Sequence, residues 1–138
     1  MKSINILLIE DNEGDIMLTT EALEDGRIVN NVNVIRDGEA AIEYFEALKE
    51  KTEYPDMVLL DINLPKISGH EVLTYIKAHH LFKCIPVIML TTSSSEKDIQ
   101  TSYKNYVNCY ITKPVDLSDF MQAVSKIEDF WLNIVTIP

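Results

Sequence analysis

A short apolar run that ends directly in a carboxylate constrains the fold of this chain more than any other feature. The run is Met57–Leu60, and it is followed at once by Asp61 and, four residues later, by Pro65. A run of this length that stops at a polar turn predicts a β-strand buried on both faces of a sheet. Because an unpaired buried charge is costly, Asp61 is expected to face solvent or to lie beside a cation.

Four further apolar runs alternate with segments of helical periodicity. The runs cover residues 4–9, 32–35, 85–90 and 107–111, and the helices begin near residues 13, 37, 68, 93 and 116. Five strands that alternate with five helices predict an α/β fold, a (βα)5 doubly wound parallel sheet covered by helices on both faces. Asp37, Ser68 and Ser93 have the residue types and spacings of helix N-caps.

The composition limits the classes of partner. The 138 residues include 22 acidic and 12 basic side chains, which gives a net charge of −10. Nucleic acid and anionic membrane surfaces would repel such a chain, so we expect neither as a partner. Cys84 and Cys109 lie in apolar contexts and are predicted to be free, buried thiols. No apolar run reaches the roughly 18 residues of a membrane span, and a cytoplasmic location is expected.

Polar side chains follow four of the predicted strands. They are Glu10 and Asp11 after the first strand, Asp61 and Asn63 after the third, Thr91 after the fourth and Lys113 after the fifth. Because the carboxyl ends of parallel strands meet at one edge of the sheet, these side chains are expected to lie close together. Mg²⁺ prefers oxygen ligands and would offset the repulsion between the carboxylates. Its predicted protein ligands are Glu10, Asp11, Asp61 and an oxygen near Asn63.

The residue types around Asp61 favour phosphoryl chemistry. Lys113 supplies a point charge that can pair with Asp61 or with a phosphoryl oxygen. Thr91 can donate a hydrogen bond to that same oxygen. Asp61 could then act as a carboxylate nucleophile toward phosphorus, while Mg²⁺ and Lys113 neutralise the developing charge.

Four short motifs in order are specific in combination. After the acidic pair come Leu-Leu-Asp-Ile-Asn-Leu-Pro with Gly69 beyond it, then Met-Leu-Thr-Thr-Ser and Tyr-Ile-Thr-Lys-Pro. In these motifs, over residues from about 4 to 130, the chain resembles the receiver domain of two-component response regulators in its stand-alone form. The resemblance implies the flavodoxin-like strand order 2-1-3-4-5.

The resemblance assigns roles to the acidic residues. It implies that Asp61 is the phosphoacceptor, and that the phosphoryl donor is a histidine kinase. Asp11 would hold Mg²⁺ directly, Glu10 through water, and Asn63 through its backbone carbonyl. Glu10 stands where the commonest pattern has Asp, which leaves the metal geometry open but not metal binding.

The resemblance also implies a conformational switch. Thr91 would be the switch hydroxyl, Lys113 the phosphate-binding lysine and Tyr110 the switch aromatic, and the peptide bond before Pro114 would be cis. Phosphorylation would draw Thr91 and Lys113 toward the new charge and let Tyr110 turn inward. The surface of the fourth helix, fifth strand and fifth helix would then repack.

The end of the chain is unusually apolar. We divide the chain into a receiver domain at 1–130 and an apolar extension at 131–138. The extension either folds back on its own core or forms a homodimer interface, for which the candidate contacts are Tyr103, Tyr106, Phe130 and Trp131. A tail of this kind resembles those of regulators paired with phytochrome-type histidine kinases, which favours the dimer.

Two other functions stay open. A Mg²⁺-dependent phosphohydrolase also uses a nucleophilic Asp at a strand end, although such enzymes usually have a second acid where this chain has Asn63. A phosphate shuttle in a relay would use the same site as a regulator. We expect a signalling phosphoacceptor whose only reactions are its own phosphorylation and dephosphorylation, not an enzyme.

Overall fold

The computed structural model describes residues 3–114 and 116–133. One sheet of five parallel strands runs through the molecule in the order β2-β1-β3-β4-β5. The strands are β1 (Ile4–Ile9), β2 (Asn30–Ile35), β3 (Met57–Leu60), β4 (Val87–Thr91) and β5 (Cys109–Thr112). The predicted doubly wound sheet and its strand order 2-1-3-4-5 are both confirmed.

Among the described residues, four helices connect the strands, a fifth follows β5, and together they cover the sheet. They are α1 (Glu13–Glu24), α2 (Gly38–Ala47), α3 (Gly69–Ala78), α4 (Glu96–Lys104) and α5 (Leu117–Asn133), with a short 3₁₀ turn at Lys51–Glu53 before β3. No helix in residues 3–114 and 116–133 has the length and hydrophobicity that a membrane span requires.

Alternate residues of each central strand enter different cores. Leu7 and Ile9 of β1 join the core beneath α2 and α3, whereas Ile6 and Leu8 join the core beneath α1 and α5. Leu60 of β3 lies in the first of these cores and is fully buried. Because successive strand side chains point to opposite faces, continuous apolar runs are required for a sheet covered on both sides.

Side-chain caps fix the start of the helices. Asp37 accepts a hydrogen bond from the N–H of Ala40, and Ser68 accepts one from the N–H of Glu71, as the sequence predicts. The predicted cap of α4 at Ser93 is wrong. The cap is Ser95, whose hydroxyl accepts from the N–H of Asp98, because the Ser93 side chain is engaged with α4 in a different way that is described below.

The last helix extends beyond the predicted domain boundary at residue 130. Trp131 is only 9% exposed and lies in the core beneath α1 and α5, so the prediction that it contributes to an interface is wrong. Its position follows from helical spacing, since Val124, Ile127 and Trp131 occupy one face of α5. Phe130 packs partly against the same core. Residues 134–138, the rest of the predicted extension, lie outside the described residues.

The two cysteines differ from the prediction of buried thiols. Both are free, but Cys84 is exposed and Cys109 is half-buried. Cys84 lies in the turn between α3 and β4, where the apolar neighbour Ile85 enters the core and Cys84 does not.

Candidate functional site

Asp61 lies at the carboxyl edge of the sheet, directly after β3. Its backbone N–H donates to the carbonyl of Ile9 at 3.1 Å, which continues the pairing with β1 by one residue. The residue is 7% exposed, so its carboxylate sits in a largely buried position. This placement satisfies one of the two options that the sequence left open, because the carboxylate has a cationic partner.

Gly69 allows the loop after Asp61 to fold back closely. A Cβ at this position would lie 2.0 Å from the carbonyl oxygen of Asp61, which no side chain can tolerate. The N–H of Gly69 donates to the carbonyl of Ile62 at 2.8 Å. The start of α3 is therefore held against the backbone that carries Asp61.

Lys113 brings the acidic side chains together. Its ammonium donates to Glu10 Oε1, to Asp61 Oδ2 at 3.0 Å and to Asp15 Oδ2 at 3.1 Å. The backbone N–H of Lys113 donates to the carbonyl of Thr91 at 2.7 Å, which fixes the residue after β5 against the end of β4. The predicted ion pair with Asp61 is present, and the ammonium also pairs with two further carboxylates.

Asp15 is a residue of the site that sequence reasoning missed. It lies in the first turn of α1, where its N–H donates to the side chain of Asn12, and such acids usually stabilise a helix N-terminus. A signal did exist, because α1 starts directly after the acidic residues that follow β1, which places its first turn at the same edge of the sheet.

Burial acts against the charges of Glu10, Asp61 and Lys113, and the neighbours of each decide the outcome. Burial alone would raise the pKa of Asp61, but the Thr91 hydroxyl and Lys113 hold that pKa below its ordinary value. For Glu10, burial outweighs the contact with Lys113 and raises the pKa to about 7. Burial would lower the pKa of Lys113, yet Glu10 and Asp61 raise it. Of Glu10 and Asp61, Asp61 is thus the carboxylate whose charged form is favoured near neutral pH.

The raised pKa of Glu10 predicts a stability that decreases as pH rises. Between 4.5 and about 7 the folded chain holds this proton more tightly than the unfolded chain, so the free energy of unfolding should fall across that window. Thermal midpoints measured in EDTA should therefore decrease from pH 4.5 to 7. The Glu10→Gln variant should show a flatter profile, and Glu43→Gln, on the exposed face of α2, should keep the wild-type slope. Equal slopes for wild type and Glu10→Gln would contradict the prediction.

The acidic residues fit a hard divalent cation. Glu10, Asp11 and Asp61 each offer a carboxylate oxygen, and these oxygens lie within 4.8 Å of one another. Asp11 is exposed and gives access from solvent, and Asn63 lies beside the group with its N–H 3.4 Å from Asp61 Oδ1. Lys113 pairs with three carboxylates, and Asp11 adds a fourth to the same edge. The excess negative charge and the all-oxygen donor set suit Mg²⁺ or Mn²⁺.

Thr91 and Tyr110 lie on adjacent strands beside this cluster. Thr91 is fully buried at the end of β4, and its hydroxyl oxygen accepts from the N–H of Ser93 at 3.4 Å. The hydroxyl of Tyr110 donates to the carbonyl of Ser93 at 2.7 Å. The two predicted switch residues therefore contact the same residue of the loop between β4 and α4.

The peptide bond before Pro114 differs from the expectation. No cis peptide bond occurs among residues 3–114 and 116–133, so the prediction of a cis bond before Pro114 is wrong for this structure. The preference between the isomers at such a bond is only about 0.5–1 kcal/mol in favour of trans. The trans bond is compatible with the site, because Lys113 still reaches both Glu10 and Asp61.

A sheet of this strand order, with its acids and its lysine gathered at the carboxyl edge, defines the receiver class of signalling domain. The comparison with family models agrees: residues 6–125 match the response regulator receiver domain. The chain belongs to that family.

Individual response regulators are similar to this chain over nearly its whole length. Response regulator Rcp1 of Synechocystis sp. is 44% identical over 138 residues, which covers 96% of this chain and 92% of Rcp1. The crystal structure of the phosphorylated cyanobacterial phytochrome response regulator RcpA is 45% identical, covers 99% of both chains and superposes with a TM-score of 0.89. The Mn²⁺-bound form of Rcp1 is 43% identical, covers 98% of this chain and 99% of that chain, and has a TM-score of 0.87.

Proposed function

We propose that Asp61 accepts a phosphoryl group from the phosphohistidine of a histidine kinase. The observation that carries this proposal is the buried carboxylate of Asp61, held at 3.0 Å by Lys113 beside Glu10 and Asp11. An oxygen of Asp61 attacks phosphorus, the bond from phosphorus to the imidazole nitrogen breaks, and the nitrogen keeps the electron pair. The product is an aspartyl phosphate.

The neighbouring residues have separate tasks in this transfer. Lys113 neutralises charge on the phosphoryl oxygens, and the hydroxyl of Thr91 donates to one of them. Glu10, Asp11, Asp61 and the backbone of Asn63 would hold a divalent cation, for which Mg²⁺ is our proposal. When bound, the cation supplies charge neutralisation between the carboxylates and the incoming phosphoryl group. The metal-bound form of Rcp1 supports this assignment.

The identity of the kinase is proposed from the relatives. RcpA is named as a cyanobacterial phytochrome response regulator, which supports a phytochrome-type histidine kinase as the phosphoryl donor. The acidic surface, with a net charge of −10, disfavours nucleic acid as the direct target. We therefore propose that the output of this domain is a change in its contacts with protein partners.

The proposed output is a repacking of α4, β5 and α5. The phosphoryl group carries about −1.5 to −2 charge and three acceptor oxygens in place of the single charge of the carboxylate, and these draw Thr91 and Lys113 toward Asp61. Tyr110 bonds to the loop that follows Thr91, so a movement of that loop alters the packing of Tyr110. A switch between two existing states requires roughly 5 kcal/mol of differential stabilisation for a near-complete shift.

Stoichiometry separates this function from its alternatives. With Mg²⁺ and acetyl phosphate as a small phosphoryl donor, we expect at most one acid-stable, base-labile phosphoryl group for each chain. Sustained hydrolysis of many phosphate esters for each chain would instead indicate a phosphohydrolase. Rapid passage of the group to a histidine phosphotransfer protein would indicate a shuttle. No labelling at all would refute the proposed function.

We also propose a homodimer through α4 and its flanking elements. Tyr103 and Tyr106 support it, since both side chains are more than half exposed despite their aromatic surface, whereas Trp131 is buried. Sedimentation of wild type should give twice the mass of the chain, and Tyr103→Ser with Tyr106→Ser should give the monomer. The variant Val29→Ser, which removes an exposed apolar residue from the connection between α1 and β2, is the matched control. A monomeric wild type would contradict the dimer.

A further inference from the structure

Ser93 links the two switch residues to a pair of side chains that the proposed transfer does not use. Its N–H donates to Thr91 Oγ1 at 3.4 Å, and its carbonyl accepts from the hydroxyl of Tyr110 at 2.7 Å. Its own hydroxyl donates to Asp98 Oδ2 at 2.5 Å. All three polar groups of this residue are thus engaged, and Ser93 contacts both the switch hydroxyl and the switch aromatic.

The other oxygen of Asp98 is bound from a different helix. His70 Nε2 lies 3.2 Å from Asp98 Oδ1. Because a carboxylate only accepts, the hydrogen of this bond belongs to Nε2. His70 Nδ1 is buried and has no partner among the described residues, so the bond from Nε2 is the polar contact that holds the ring. The hydroxyl of Ser93, and then His70, lower the pKa of Asp98, which keeps the carboxylate charged.

His70 and Asp98 link the loop that follows Asp61 to the loop between β4 and α4. His70 is the second residue of α3 and follows Gly69, whose backbone is packed against that of Asp61. Asp98 lies in the first turn of α4. The contacts therefore join the loop after β3 to the loop after β4.

We propose that His70 and Asp98 are positioning residues that hold Ser93, and through it Thr91 and Tyr110, in the conformation that favours a phosphoryl group on Asp61. This inference rests on the proposed function. The loop from Thr92 to Ser95 is polar and largely exposed. Without the bond to Asp98 at 2.5 Å, the hydroxyl of Ser93 would keep only its long contact with the N–H of Ser95, at 3.4 Å. Loss of either partner would populate other conformations of the loop and withdraw Thr91 from its place beside Asp61.

Thermodynamic linkage gives the expected size of the effect. If the pair favours the conformation that binds the phosphoryl group, its removal must weaken that binding by the same factor. Coupling between two sites commonly changes a binding affinity by about 5- to 150-fold. We expect a single, partly exposed hydrogen bond to lie at the low end of that range. We expect Asp98→Ala and His70→Leu each to weaken binding by about 5- to 10-fold.

The experiment measures the affinity of the Mg²⁺-loaded full chain for beryllofluoride, a mimic of the phosphoryl group. Bound beryllofluoride is titrated by ¹⁹F NMR, and the initial rate of labelling by acetyl phosphate is measured in parallel. His70→Gln should behave nearly as wild type, because its amide N–H can replace Nε2–H as a donor, whereas His70→Leu cannot donate. The double variant His70→Leu/Asp98→Ala should bind no more weakly than Asp98→Ala, since Asp98→Ala already removes both hydrogen bonds of the carboxylate. Glu96→Ala, in the same turn of α4 as Asp98, is the matched control.

The possible outcomes separate this inference from the proposed function. If wild type neither binds beryllofluoride nor becomes labelled, the proposed function fails. If wild type binds and both Asp98→Ala and His70→Leu match Glu96→Ala, the positioning role is refuted. His70→Gln as weak as His70→Leu would exclude the hydrogen bond as the cause. Ser93→Ala, in an exposed loop, removes the same link without altering either helix and should weaken binding equally; binding at wild-type strength would also refute the role.

Discussion

Replacing Asp61 by Asn should abolish phosphoryl labelling. The amide has nearly the same shape and still accepts a hydrogen bond from Lys113, but it lacks the anionic oxygen that attacks phosphorus. Loss of a nucleophile commonly reduces a rate by about 10³-fold or more. The chain is incubated with Mg²⁺ and acetyl phosphate, and the labelled fraction is measured by intact mass before and after treatment with hydroxylamine, which cleaves aspartyl phosphates.

A second aspartate at the opposite end of β3 provides the control. Asp56 accepts a hydrogen bond from the N–H of Asn5 at 2.8 Å, far from the acidic cluster. The Asp56→Asn variant loses the same unit of charge and should be labelled as wild type. Equal labelling of Asp61→Asn and wild type would refute the assignment of Asp61, and equal loss in both variants would attribute the effect to folding.

Replacing Lys113 by Ala should both destabilise the fold and slow the transfer. Lys113 is 7% exposed, and its removal leaves Glu10 and Asp61 buried without their cation. Breaking a buried ion pair in this way typically costs about 3–5 kcal/mol. Urea denaturation in EDTA, followed by circular dichroism, should give this loss in the free energy of unfolding. Mg²⁺ should restore part of it, because a bound cation replaces some of the missing charge, whereas labelling should stay slow.

Lys126, on the exposed side of α5, gives a matched control for this variant. The Lys126→Ala protein should differ from wild type by no more than about 0.5 kcal/mol, as is usual for surface positions. A Lys113→Ala protein that is as stable as Lys126→Ala in EDTA would contradict the prediction. It would mean that Glu10 and Asp61 tolerate burial without the ammonium, and the electrostatic account of this edge would be wrong.

Features that depend on local periodicity could be predicted from the sequence. The boundaries of β1, the caps at Asp37 and Ser68 and the order of the elements are all encoded within a few residues of where they act. The meeting of Glu10, Asp11 and Asp61 also follows, because parallel strands carry their carboxyl ends to one edge. The strand order itself came from the resemblance to receiver domains and not from the periodicity.

Features that depend on contacts between distant segments could not be predicted in this way. Asp15 reaches Lys113 from a helix and not from a strand end, so a search of strand ends passes over it. Ser93 has the spacing of a helix cap, but its hydroxyl donates to Asp98 and the cap moves to Ser95. Trp131 is an aromatic residue near an apolar chain end, which suggests an interface. Only the packing of α5 against the sheet reveals that it is buried.

The burial of Trp131 has a practical consequence. It is the only tryptophan of the chain, and its indole lies in the core that α5 shares with α1. Indole emission moves to longer wavelength when the ring becomes hydrated, so intrinsic fluorescence reports whether the final helix stays docked on the sheet. Each variant described above can therefore be monitored without attaching a dye.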